Sequence, residues 1–159
     1  MMEGKNMSTR ENINAAMKDA MKNKEMERLA TIRLIIAAMK DKDVASRTDG
    51  RNDGIDESAV LSLLQSMIKQ RTESSKIFRE NGRPELADKE DGEIAVIQSF
   101  LPKQLSDDDV ASVIEQIIAE TGAAGIKDMG KVMAELKAKY AGQLDMGKAG
   151  GVIKQKLSA

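Results

Sequence analysis

Apolar residues recur at spacings of three and four along most of this 159-residue chain, the signature of helices that bury one face. Residues 1–7 carry no such pattern and are expected to form a disordered leader. Ser8, followed three residues later by Glu11, has the form of a capping box. It opens a helix with Ile13, Ala16, Met17, Ala20 and Met21 on one face, ending near Asn23. A second helix, from Glu25 to Asp43, carries Leu29, Ile32, Ile36 and Met39. Ala30, Leu34, Ile35 and Ala37 widen its apolar arc, which predicts a helix packed on two sides. The Gly-, Asp- and Asn-rich stretch from Val44 to Ile55 reads as a surface loop. Asp56 is placed to cap a long third helix with Val60, Leu63, Leu64, Met67, Ile68 and Ile77 at helical spacing. Asn81-Gly82 ends that helix, and Pro84 starts a fourth that runs to Phe100.

Leu101-Pro102 interrupts the series, because the residue before a proline is pushed out of helical geometry. The expected organisation is an N-terminal helical domain of about four helices, residues 8–101, followed by a C-terminal three-helix domain, residues 102–159. Ser106 caps the fifth helix, whose first turn holds Asp107, Asp108 and Asp109 and whose stripe is Val110, Val113, Ile114, Ile117 and Ile118. The tetrapeptide Asp-Met-Gly-Lys then occurs twice, at Asp128 to Lys131 and at Asp145 to Lys148, each time before a segment of helical periodicity. Asp128 and Asp145 are read as N-caps: a carboxylate there accepts orphan backbone N–H bonds and suits the positive end of the helix dipole. Gly150-Gly151 falls where the last helix should propagate. That predicts a late or bent start, or a close backbone approach to a neighbouring helix or to a phosphate, helix packing being the preferred reading.

Composition supports the all-α reading. Apolar residues make up 41% of the chain but aromatics only 2%, and eleven residues are Met, a mixture that suits helix packing better than a sheet. The chain has neither Cys nor His, which removes thiolate nucleophiles, disulfides, the commonest general base and the commonest transition-metal ligand. No catalytic residue, metal site or cofactor is expected. Glu90 and Glu93 lie one turn apart, but with no third ligand they read as helix-dipole and solubility residues. No apolar run reaches the length of a membrane span, and no signal-peptide core is visible near the N-terminus. The expected location is the cytoplasm. The 25 basic and 26 acidic residues nearly cancel, so attraction to a polyanion has to be local.

One such locality exists. Lys127 to Leu157 holds seven lysines against three acids, whereas Leu101 to Ile126 holds one lysine against five acids. Lys127, Lys131, Lys137, Lys139, Lys148, Lys154 and Lys156 are therefore the candidate residues for binding a polyanion, acting through charge on phosphate. Tyr140 is the only aromatic of the tail, so recognition would be of backbone shape and not of bases. The alternative is a solvated lysine face that balances the acidic helix before it. The basic residues Lys69, Arg71, Lys76 and Arg79 of the third helix are read as pairing locally with Glu73 and Glu80.

Four segments, IRLIIAAMKDKD at Ile32 to Asp43, MIKQRTES at Met67 to Ser74, SFLPKQLS at Ser99 to Ser106 and KDMGKVM at Lys127 to Met133, resemble in order the motifs of the GatB/YqeY family. The likeness is to its free-standing YqeY-like members. It implies a C-terminal domain similar to the tail of the GatB subunit of tRNA-dependent Asn/Gln amidotransferase, the part of that enzyme that engages tRNA. Related modules are fused to a glutaminyl-tRNA synthetase. The implied partners are thus tRNA and a synthetase or amidotransferase subunit, with no membrane and no DNA. The resemblance also carries the label of a carbon–nitrogen ligase with glutamine as amido donor, which no residue of this chain supports. Three functions compete at this point: an accessory protein binding tRNA, a protein-interaction scaffold without RNA, and that ligase.

Overall fold

In the computed structural model, which describes residues 7–50 and 53–158, each predicted run of apolar periodicity is a helix. Seven α-helices and no strand occur among the described residues. The expected leader lies outside them except for Met7, as do Arg51 and Asn52 of the expected loop.

The first unit ends at Leu101. Its helix α1 (Thr9–Lys22) starts where the Ser8 Oγ accepts the Glu11 N–H at 3.1 Å. The Glu11 carboxylate takes the Ser8 hydroxyl and not the Ser8 N–H, so the capping box is incomplete. After a tight turn with Lys24 at φ 56°, α2 (Met26–Ser46) runs three residues beyond the expected Asp43. Val44, Ala45 and Ser46 tolerate helix, and the first true breaker is Gly50, in left-handed geometry after a 3-10 turn at Arg47–Asp49. Asp56 Oδ1 accepts the Ala59 N–H at 2.9 Å and opens α3 (Glu57–Glu80). Pro84 begins α4 (Pro84–Gln98), which stops two residues short of Phe100.

Helix α3 packs along α4, and α2 packs against α1, α3 and α4. Ile13, Leu29, Ile32, Ile35, Leu64 and Ile97 are at the centre of this core. The expectation that α2 is covered on two sides fails: Ala30, Leu34 and Ala37 lie in solvent, opposite the buried arc of Leu29, Ile32, Ile35 and Met39. Ala30, Leu34 and Ala37 share the outer arc with Arg33 and Lys40, so apolar spacing alone does not mark which arc faces inward. Two polar ties close the unit. Arg10 donates to both oxygens of Asp43, at 2.9 and 2.8 Å, while Asp43 Oδ1 also accepts the Ile55 N–H. Thr9 donates through its N–H and hydroxyl to Glu57.

The second unit begins at Pro102. Here Ser106 and Asp109 do form the reciprocal capping box that opens α5 (Asp107–Thr121), and Gly122, at φ 68°, closes it. A 3-10 turn at Ile126–Asp128 leads into α6 (Met129–Tyr140), and α7 (Met146–Ser158) follows. The three helices pack against one another around Ile114, Ile117, Val132, Leu136, Leu144 and Ile153. The segment before α5 is tied to the α6–α7 connection, since Leu105 N–H donates to Gln143 O at 2.8 Å and Gln104 Nε2 to Gly142 O at 2.6 Å.

Candidate nucleic-acid interface

The two Asp-Met-Gly-Lys copies fold differently at their first residue. Asp145 Oδ1 accepts the N–H groups of Gly147 and Lys148, at 2.8 and 3.3 Å, and so caps α7. Asp128 makes no such bond to α6. Its Oδ2 turns back to accept the Ala124 N–H at 2.9 Å, which closes the preceding loop. The N-cap reading of Asp128 is therefore corrected. The cause is the approach of the chain: the 3-10 turn already carries Asp128 at φ −95°, ψ 3°, away from the extended geometry that lets a side chain fold over the first turn.

Gly150 and Gly151 are continuous with α7, so the late or bent start is not observed. A Cβ at Gly150 would sit 3.6 Å from Met129 Cε, an ordinary contact, and one at Gly151 would meet nothing within 4 Å. Close backbone approach does not require either glycine.

The repeat extends well beyond four residues. At the same 17-residue offset, from 128 to 145, Val132 and Leu136 correspond to Ala149 and Ile153, all four buried. Lys131, Lys137 and Lys139 correspond to Lys148, Lys154 and Lys156. The correspondence holds in space as well, because the last lysine of each helix reaches an acid of α5. Lys139 Nζ lies 3.2 Å from Glu120 Oε2 and 3.5 Å from Glu135 Oε2, and Lys156 Nζ lies 2.7 Å from Glu115 Oε1. The hydrogen bond from Lys139, with a second from Gln116, holds the Glu120 carboxyl below its usual range, and Glu120 in turn raises Lys139. The two acids are separated by 19 and 41 positions from their lysines, so no local pattern announced them.

Lys127, Lys131, Lys137, Lys148 and Lys154 are exposed, with no carboxylate at ion-pairing distance among the described residues. They are the candidate lysines left without an acidic partner. Tyr140 packs on the core of its own unit, which leaves no aromatic platform there. Of the basic residues of α3, the two arginines pair with α4 and not within α3: Arg79 donates to Asp88 and Asp91, and Arg71 Nε lies 3.8 Å from Glu93, while Lys69 and Lys76 have no carboxylate at ion-pairing distance among the described residues. Asp91 is held below the ordinary carboxylate range, first by the Ser75 hydroxyl and then by Arg79. Among the described residues no three acidic side chains gather as metal ligands, and no helix is long and apolar enough to cross a membrane.

A family model described as "Yqey-like protein" matches residues 10–157. Among curated proteins, "Altered inheritance of mitochondria protein 41, mitochondrial" of Lachancea thermotolerans is 32% identical over 90 residues, 57% of this chain and 46% of that protein. The protein of the same name in Eremothecium gossypii is 33% identical over 85 residues, 54% of this chain and 44% of its own length. The chain thus spans about half the length of these two relatives. The protein of that name in Pyrenophora tritici-repentis is 32% identical over 143 residues, 83% of this chain and 76% of its own length. These names overturn the expectation of a cytoplasmic location. Absent cysteines do not separate cytoplasm from mitochondrion, and an apolar signal core is not what marks a mitochondrial targeting segment, which is amphipathic.

Proposed function

Because the chain belongs to the Yqey-like protein family, we propose that it is a non-catalytic accessory protein whose C-terminal unit binds tRNA, in the service of tRNA-dependent amidation or aminoacylation. The observation that carries this reading is the lysine repeat. Lys131 and Lys137 on α6 and Lys148 and Lys154 on α7 occupy matching positions, are exposed, and have no acidic partner among the described residues. Unpaired lysines of this kind gain counterion-release free energy on a phosphate backbone, whereas Lys139 and Lys156 are already engaged by α5. Lys127, before α6, adds a fifth charge at the same end as Lys131. With no base-stacking side chain, the ligand is held by its backbone and shape. A synthetase or amidotransferase subunit is the enzyme such a protein would serve.

The test is tRNA binding as a function of salt. Affinity should fall steeply between about 50 and 200 mM salt. Lys131→Glu with Lys148→Glu should abolish most of it, while Lys139→Gln with Lys156→Gln should do far less. Absence of any tRNA complex at low salt would end the reading.

A further inference from the structure

The exposed arc of α2 carries apolar residues among its charges. Met26, Leu34 and Val44 are 66%, 46% and 57% exposed, and Ala30 and Ala37 stand in solvent between them. These positions follow one another at spacings of four, four, three and seven, so they share the outer face of the helix, with Asp41 between Ala37 and Val44. Beside them, Arg33, Lys40 and Arg47 recur every seven residues, all exposed, with Arg47 still in right-handed helical geometry. Arg33 and Lys40 have no carboxylate partner among the described residues. Arg47 lies near Asp43, whose oxygens are taken by Arg10 and the Ile55 N–H.

We propose that this face of α2 is a docking site for an acidic amphipathic helix of a partner protein. The surface has the form that a helix recognises. Ala30, Arg33, Leu34 and Ala37 enclose one hole of the knobs-into-holes type, and Ala37, Lys40, Asp41 and Val44 enclose the next, one heptad on. In each, alanine leaves room for an incoming leucine and a cation stands at the rim, where a partner's Glu or Asp would meet it. A second copy of α2 fits poorly. Antiparallel pairing about a two-fold axis sets the Arg33–Lys40–Arg47 line against itself, and parallel pairing sets Arg33 and Lys40 against Ala38 and Ala45. A lipid surface fits poorly too, because Asp41 interrupts this face and two of its five apolar positions are only alanine.

The experiment titrates the full chain with a synthetic amphipathic helix of about four heptads, bearing leucine along its apolar stripe and Glu at its flanks. A twin peptide carries Lys at the flanking positions. The acidic peptide should bind, the basic one should not, and Leu34→Asp should remove binding while leaving the circular dichroism and melting curve unchanged. Arg33→Glu with Lys40→Glu should weaken the acidic peptide by about tenfold or more and transfer binding to the basic peptide. The proposal is overturned if neither peptide binds, or if both bind alike. It is equally overturned by a homodimer, or an association with anionic vesicles, that Leu34→Asp abolishes.

Discussion

Lys156 Nζ lies 2.7 Å from Glu115 Oε1, one helix of the C-terminal unit holding the last lysine of another, and the same tie recurs between Lys139 and Glu120. Both pairs engage a lysine that would otherwise join the free ones of α6 and α7. Glu115→Gln together with Glu120→Gln should therefore tighten tRNA binding severalfold and steepen its salt dependence by up to about two counterions. Both acids are well exposed, so the pairs contribute little to stability and the melting temperature should hardly move. Filter binding at several salt concentrations reads both quantities, and an unchanged affinity with an unchanged slope would separate these acids from the interface.

Gly150 and Gly151 of α7 are an unused reserve of stability. Gly151 has open space where a Cβ would go and an ordinary helical φ, so Gly151→Ala should stabilise the protein by about 1 kcal/mol, the helix-propensity difference. Gly150→Ala brings a methyl group to 3.6 Å from Met129 Cε and should gain a similar amount, with added contact. Urea denaturation measures this, and a loss of stability in either variant would mean that backbone approach, not space, fixes those positions. Neither change touches a lysine, and tRNA affinity should stay the same.

Gly54 behaves in the opposite way. It sits at φ 87°, and a Cβ there would lie 2.7 Å from Asp43 Oδ1, an oxygen already engaged by Arg10 and the Ile55 N–H. Gly54→Ala adds left-handed strain to a clash that the short Asp43 side chain cannot relieve without releasing Arg10. A destabilisation of about 2 kcal/mol or more is expected, read as a lower urea midpoint. If the midpoint of Gly54→Ala matched the parent, the tie between α1, α2 and the loop would not be rigid.

Helix starts at Ser8, Asp56 and Ser106 were legible because their hydrogen bonds span three residues and the sequence writes such contacts side by side. What decides between Asp128 and Asp145 lies outside their shared tetrapeptide, in the turn that delivers the chain to each helix. The outward face of α2 was illegible for a related reason: with apolar residues on its outer arc as well as its inner one, apolar spacing does not encode the orientation that neighbours α1, α3 and α4 impose. The candidate surface was legible only as lysine content. Which lysines are free depends on contacts made 19 and 41 residues away, and only the 17-residue repeat, read to its full length, hinted that the last lysine of each helix is a matched pair.

Acid should open the N-terminal unit partly through Asp43. The bidentate bond from Arg10 holds its carboxyl below the usual range, against a partial burial that works the other way. A carboxylate with a lowered folded-state pKa stabilises the protein at pH values above its unfolded pKa, near about 4. That contribution is lost as pH falls from there through the lowered value, because the unfolded chain takes up the proton first. Asp91 and Glu120 are lowered as well and add acid sensitivity of the same sign, so the parent curve alone does not isolate Asp43. Asp43→Asn should melt lower at neutral pH and lose less stability than the parent between about pH 4 and pH 2, the two curves converging as Asp43 protonates. Melting temperatures across that range test the sign directly: parallel curves would show that Arg10 and Asp43 do not interact in solution as they do in the fold.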